Sequence, residues 1–413
     1  MAGQGRGRRG TGRMVRLAAG LCLAAALLTS GCADPKASDT AVRDIQHTLD
    51  ARAAAVLGHD ESGYLAAVDP DATKLRAAEL KAFRNLADVP LGSWEYRLGE
   101  VRRQGSEAVA RAELRYRIAG YDTAPVSSSR TLELARREGR WYVTADRPAN
   151  EGTQQLWQQG DVEVVRGRRS LVLGVDQDAA QLRALAASAD RAVPAVSDAW
   201  PSPWARRVVV LVPASLDAMG ALLGAPAAGY RGIAAVTTGE TSSAGTAPAD
   251  RVIVNPEAYA VLGDVGKSVV LTHETTHVAT RAHTSKATPM WLSEGFADWV
   301  AYRGTGRTAG QTAPELQRAV RRGDVPAALP ADKDFAFGGD ADALARAYEG
   351  GWLACELIAE RWGEGKLTAF YRAVGEQKHR AGAIEKTMSE VLKTTPEEFA
   401  VRWRDYLRER LDG

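Results

Sequence analysis

Apolar positions along this chain recur with two periods, and the change from one to the other separates its elements. Val42, Ile45, Leu49 and Val56 lie at helical spacing, as do Leu75, Leu80, Phe83 and Leu86, which predicts two amphipathic helices. From Ala108 the period falls to two. Ala108, Ala110, Ala112, Leu114, Tyr116 and Ile118 alternate with Arg111, Glu113, Arg115 and Arg117, as in a strand with one face in water. Residues 131–135 and 141–144 flank Glu138-Gly139, a hairpin signal. After a linker-like stretch at 148–160, strands are predicted at 162–165, 170–175 and 206–212, with helices over 179–199 and 215–223. Residues 224–249, rich in Gly, Ala, Thr and Ser, read as a mobile loop carrying one apolar island at 233–236 that suits a strand. Residues 251–255 form a further strand, stopped by Pro256. Near the end, Thr395-Pro396-Glu397-Glu398 is a capping box that opens a helix striped with Phe399, Trp403 and Leu407.

The start of the chain does not fit either period. Arg6, Arg8, Arg9, Arg13 and Arg16 form a basic segment without an acid, and residues 17–28 are almost purely Leu and Ala. This is a signal peptide, too short in its apolar run to span a bilayer stably. Its end, Leu28-Thr29-Ser30-Gly31-Cys32, resembles the lipobox of bacterial lipoproteins, with Thr29 where Leu is usual. The resemblance implies cleavage of residues 1–31 and acylation of Cys32. The remainder would then be anchored by lipid on the extracytoplasmic face of a cell membrane, with a small polar tether over 32–40. Without the acyl chain the same segment directs secretion. Once it is removed, 48 basic residues face 51 acidic ones, a net charge of −3, so no basic footprint for nucleic acid remains. Cys355 is then the one cysteine left besides Cys32, in an apolar helical stretch that suits a buried small hydrophobe.

The chemistry concentrates in Lys267-Ser-Val-Val-Leu-Thr-His273-Glu274-Thr-Thr-His277. On a helix, residues four apart are rotated by about 40°, so His273 and His277 aim their imidazoles at one spot while Glu274 projects beside it. Two nitrogen ligands leave room on a zinc ion for water, and the adjacent glutamate can accept that water's proton. Seventeen positions after His277 stands Glu294, in Pro289-Met-Trp-Leu-Ser-Glu294-Gly-Phe-Ala-Asp298-Trp. His283 is a rival third ligand, six after His277. Thr280 occupies the point where a glycine would turn the chain back, so a continuing helix carries His283 about 240° around the axis, away from the metal.

Together the two motifs resemble those of gluzincin metallopeptidases, and most of all the peptidase MA-like branch. That resemblance implies a zincin fold, Zn2+ held by His273, His277 and Glu294, and Asp298 as the acid that orients His273. It also points to Tyr348, fifty-four positions after Glu294, as the hydroxyl that meets the oxyanion; a tyrosine of the core is the alternative. No Gly-Ala-Met-Glu-Asn-type segment is present, which counts against exopeptidase activity. The strand at 252–255 is placed where an edge strand would pair with extended substrate.

The front part, helices followed by a curved antiparallel sheet, resembles the cone-shaped nuclear transport factor 2-like fold. The expectation is therefore an α+β chain. A helix-plus-sheet domain over 41–148 precedes a zincin-like domain over 160–413 that hydrolyses peptide bonds in peptide or protein substrates. The competing expectation is a catalytically silent lipoprotein of the same fold that binds a ligand or partner.

Overall fold

The computed structural model describes residues 35–238, 249–337 and 339–412. The signal peptide, Cys32 and residues 239–248 of the predicted loop lie outside them. Helix α1 (Pro35–Leu57) begins inside the stretch read as a tether, because nothing in 35–40 stops a helix already favoured by the stripe that follows. Ile45, Leu49, Ala53 and Val56 of that stripe are buried. After α2 (Glu61–Leu65) and α3 (Thr73–Asn85) come four strands, β1 (Leu91–Gln104), β2 (Glu107–Ile118), β3 (Val126–Arg137) and β4 (Arg140–Pro148). They form an antiparallel meander in chain order, joined by two-residue turns at 105–106 and 138–139 and by a longer connection over 119–125. Every second residue of β2 from Ala108 to Ile118 is buried, as the alternation requires. Between helices and sheet lies a balanced quartet of charges. Arg52 reaches Glu79 at 2.6 Å and Asp146 at 3.0 Å, and Arg130 meets Asp146 at 2.8 Å, all buried. Two cations and two anions so paired balance charge in the interior, with Arg52 Nε left without a hydrogen-bond partner among the described residues.

A second sheet has the order β5-β6-β7-β9-β8, from β5 (Val162–Arg166), β6 (Ser170–Val175), β7 (Val208–Val212), β8 (Ala235–Thr237) and β9 (Val252–Val254). β6, β7 and β9 are parallel, and the outer strands β5 and β8 are antiparallel to their neighbours. The inner strands are apolar at nearly every position because both faces are covered. One face, with Val172, Val208, Val210, Val252 and Val254, packs on α4 (Ala179–Ala199) and α7 (Asp264–Thr280). The other, with Leu171, Leu173, Leu211 and Ile253, shares a core with Trp94, Tyr116 and Trp157 of the front half. The linker-like stretch is thus a change of sheet within one continuous core. The junction is clamped by Asp122, just after β2, whose carboxylate takes Arg251, just before β9, at 2.6 and 2.7 Å; both are buried.

The rest is helical: α5 (Leu216–Leu223) and α6 (Pro256–Ala260) beside the sheet, then α8 (Met290–Tyr302), α9 (Ala309–Thr312), α10 (Pro314–Arg321), α11 (Ala341–Trp362), α12 (Glu364–Gly375), α13 (Ala383–Thr387) and α14 (Pro396–Leu411). Thr395 caps α14 through the Glu398 N–H, and Phe399, Trp403 and Leu407 are buried, so that helix is packing. Cys355 is fully buried in α11, and burial pushes its thiol well above the ordinary value. No helix among the described residues is long and apolar enough to cross a membrane.

Candidate metal centre

The centre is built where α7 and α8 pack face to face. On α7, His273 and His277 are one turn apart and bring their Nε2 atoms to 2.9 Å from each other. From α8, Glu294 Oε2 lies 3.3 Å from Nε2 of His273 and 3.5 Å from that of His277. These are the three residues whose ligand atoms gather closely enough to hold a metal ion among the described residues. Asp298, one turn after Glu294, meets Nδ1 of His273 at 2.7 Å. A carboxylate there favours the Nδ1–H tautomer, which leaves the lone pair of Nε2 aimed at Glu294 and His277.

Electrostatics bind these groups to one another. Burial disfavours a charged imidazole, yet Asp298 and Glu294 outweigh it and hold His273 well above its ordinary pKa. Glu294 experiences the converse: burial alone would raise it, but the two imidazoles keep it far below the usual carboxylate range. A cluster this dry, with a carboxylate and two imidazoles sharing one point, is short of positive charge at its middle.

What places Glu294 is a close helix crossing. A Cβ on Gly295 would come within 2.2 Å of the Gly351 carbonyl oxygen, and one on Gly351 within 2.8 Å of the Trp291 carbonyl oxygen. Only two glycines let α11 lie this tightly on α8. Tyr348, three residues before Gly351, is thereby brought to the rim, its ring 6.4 Å from that of His273 and packed on Phe335. It lies two turns inside α11, which opens at Ala341. His283 sits in the short turn after α7, its ring 5.5 Å from that of Trp200, outside the cluster.

Glu274 is on the neighbouring face of α7, and its carboxylate accepts a 2.7 Å hydrogen bond from the hydroxyl of Thr237. Thr237 ends β8, which corrects the expected edge strand. Residues 252–254 are interior, paired with β7 and β8, and the strand at the edge is 235–237. The island at 233–236 does supply a strand, shifted to Ala235–Thr237, but strand order is decided by long-range pairing, so local pattern could not say that this strand lies at the edge. Because Asn255 donates to Ala234 and Thr238 to Arg251, the main-chain groups of 234, 236 and 238 are spent on β9. Those of Ala235 and Thr237 therefore point away from β9, with Ala235 bordering the cavity and Thr237 buried.

A cavity of about 500 Å³ joins β8, α7, α8 and α11 and contains His273, Glu274, Glu294, Asp298 and Tyr348 in its wall. The sequence had signalled all five. It had not signalled Thr237, whose role depends on β8 crossing above α7.

No protein-family model matches the chain, and no curated protein matches it. Among solved structures, Rv3472, a function-unknown protein from Mycobacterium tuberculosis, is similar at 15% identity. The match covers 29% of this chain and 78% of that one, with a TM-score of 0.24.

Proposed function

We propose that the protein is a zinc-dependent peptidase of zincin-like fold, acylated at Cys32 and held on the extracytoplasmic face of a membrane. The observation that carries this reading is the convergence of His273, His277 and Glu294, with Asp298 behind one imidazole and Glu274 alongside. Four ligands about 2.0–2.2 Å from a zinc ion define edges of about 3.3–3.6 Å. The two nitrogen-to-oxygen separations, 3.3 and 3.5 Å, fall there, and the imidazole pair at 2.9 Å is slightly closer. The donor set, two neutral nitrogens and one carboxylate, suits zinc.

Zinc bound by these three residues supplies a Lewis acid that polarises a carbonyl and makes water acidic near neutrality. The chain's own residues do the remainder. Glu274 accepts the proton of the attacking water and passes it to the leaving amine, and the Thr237 hydroxyl fixes which way its carboxylate points. Asp298 holds His273 in the ligating tautomer. The hydroxyl of Tyr348, at the rim of the cavity, offers a hydrogen bond to the developing oxyanion. The side of β8 turned away from β9 borders the cavity at Ala235, where an extended polypeptide would find a main-chain partner, which favours peptide over non-peptide amides.

The test is a digest of a broad peptide library read by mass spectrometry, with a chelator control and a Glu274→Gln variant. The reading expects chelator-sensitive cleavage, lost in Glu274→Gln while zinc is retained. Turnover by Glu274→Gln equal to wild type rejects the base, and cleavage indifferent to chelation rejects the metal.

A further inference from the structure

The cavity above the metal centre is electrically lopsided. Glu274, Glu294 and Asp298 crowd one end. Among the described residues, the only cationic side chain in its wall besides the His273 imidazole is Arg231, which is exposed and has no ion pair or side-chain hydrogen bond among them.

Arg231 is displayed by a built turn. Tyr230 is buried, and its carbonyl accepts from the buried Asn255 side chain at 3.2 Å and from the Ile233 N–H at 3.1 Å. Arg231 at φ −62°, ψ 124° and Gly232 at φ +83° complete a type II turn, whose third position needs a residue free to take positive φ. The Arg231 backbone thus stands at a fixed corner, four residues before Ala235, its Cα no more than about 13 Å from that of Ala235.

Away from the centre much of the wall is apolar: it includes Val269 and Val270 of α7, Leu344 of α11 and Phe337, which is 45% exposed. Outside the cavity the stripe continues: Val265, four residues before Val269, is 49% exposed and Val261 is 84% exposed. An apolar trough that ends on an unmatched cation fits a ligand with the complementary pattern.

We propose that the cleft selects polypeptides with apolar side chains beside the reacting carbonyl and a carboxylate, two to four residues away, that pairs with Arg231. This rests on the peptidase reading and adds the substrate class. The carboxylate belongs to an acidic side chain or to a chain terminus, and both present the same fork to a guanidinium.

The experiment uses full-length zinc-loaded protein and a panel of labelled peptides with an apolar core. One glutamate is walked through the flanking positions or replaced by glutamine, and each peptide is made with a free and an amidated C-terminus. Cleavage is read in the native protein, and binding by fluorescence anisotropy in the Glu274→Gln variant. The expected result is at least tenfold tighter binding of one set of carboxylate peptides over their neutral counterparts. Arg231→Glu abolishes that preference, Arg231→Lys retains part of it, and the circular dichroism of both is unchanged. If glutamate walking alone produces it, the partner is a side chain; if amidation alone removes it, a terminus. Cleavage that proceeds indifferent to charge, or with a preference that survives Arg231→Glu, overturns the proposal while leaving the peptidase reading intact. Carboxylate-dependent binding without any cleavage sinks the peptidase reading and the placement beside a reacting carbonyl with it, while upholding the Arg231–carboxylate contact. Neither binding nor cleavage sinks both.

Discussion

Replacing Asp122 by alanine removes one half of a buried ion pair and leaves Arg251, 6% exposed at its side chain, without its counter-charge. The lost contacts are two charge-assisted hydrogen bonds of 2.6 and 2.7 Å to the guanidinium, and one of 2.7 Å from the Ile118 N–H. Truncating one partner of such a pair costs about 3–5 kcal/mol, most of it from the stranded charge, and the orphaned N–H adds about 1. For a chain of this size the melting entropy converts about 4 kcal/mol into a drop of roughly 5 °C. Asp122→Asn keeps an acceptor for Ile118 and one for Arg251, and should lose about half as much. Combining Asp122→Leu with Arg251→Met removes both charges and should recover stability relative to Asp122→Ala. The assay is thermal unfolding followed in parallel by near-ultraviolet circular dichroism and tryptophan fluorescence. Because the pair ties the front sheet to β9 across a shared core, both probes should report one transition. A shift below 1 °C for Asp122→Ala, or two separated transitions in the native protein, would refute the reasoning.

Two further outcomes are expected. Gly295→Ala drives a Cβ into the Gly351 carbonyl, so α8 and α11 must separate. It should cost about 3 kcal/mol or more and weaken zinc in a competition titration, since Glu294 is the adjacent residue. Glu349 caps α10 through the N–H groups of Glu315 and Leu316, yet burial, aided by Asp298, raises its carboxyl from 4.5 to about 7. The folded chain therefore holds more protons than the unfolded one between these values. Stability contributed by protonated Glu349 is complete below about pH 4.5 and is lost as the pH rises through 7. Chemical denaturation at several pH values should show that decline, and Glu349→Gln should flatten it.

The sequence announces what depends on local spacing. The helix that pairs His273 with His277, the second helix with Glu294 and Asp298, the strict alternation of β2 and the capped α14 are all governed by periods of a few residues. What it conceals is long-range. The edge position of β8 follows from pairing with β9 across a loop, although the apolar island that forms the strand is legible in the sequence. The tight crossing at Gly295 and Gly351 joins residues fifty-six apart, each an unremarkable helical glycine until the other is known. The Asp122–Arg251 clamp is hidden in the same way, since either residue alone reads as surface charge. The shared core overrides the polar linker at 148–160 because Trp157 within it is buried between the sheets.

The central claim is that His273, His277 and Glu294 together grip one metal ion. Metal content per chain of purified protein, compared with Glu294→Ala and His273→Ala, tests it most directly. The account predicts one zinc per native chain and substantial loss in both variants. Zinc retained at full stoichiometry by either variant, or absent from a native protein reconstituted with it, would contradict it.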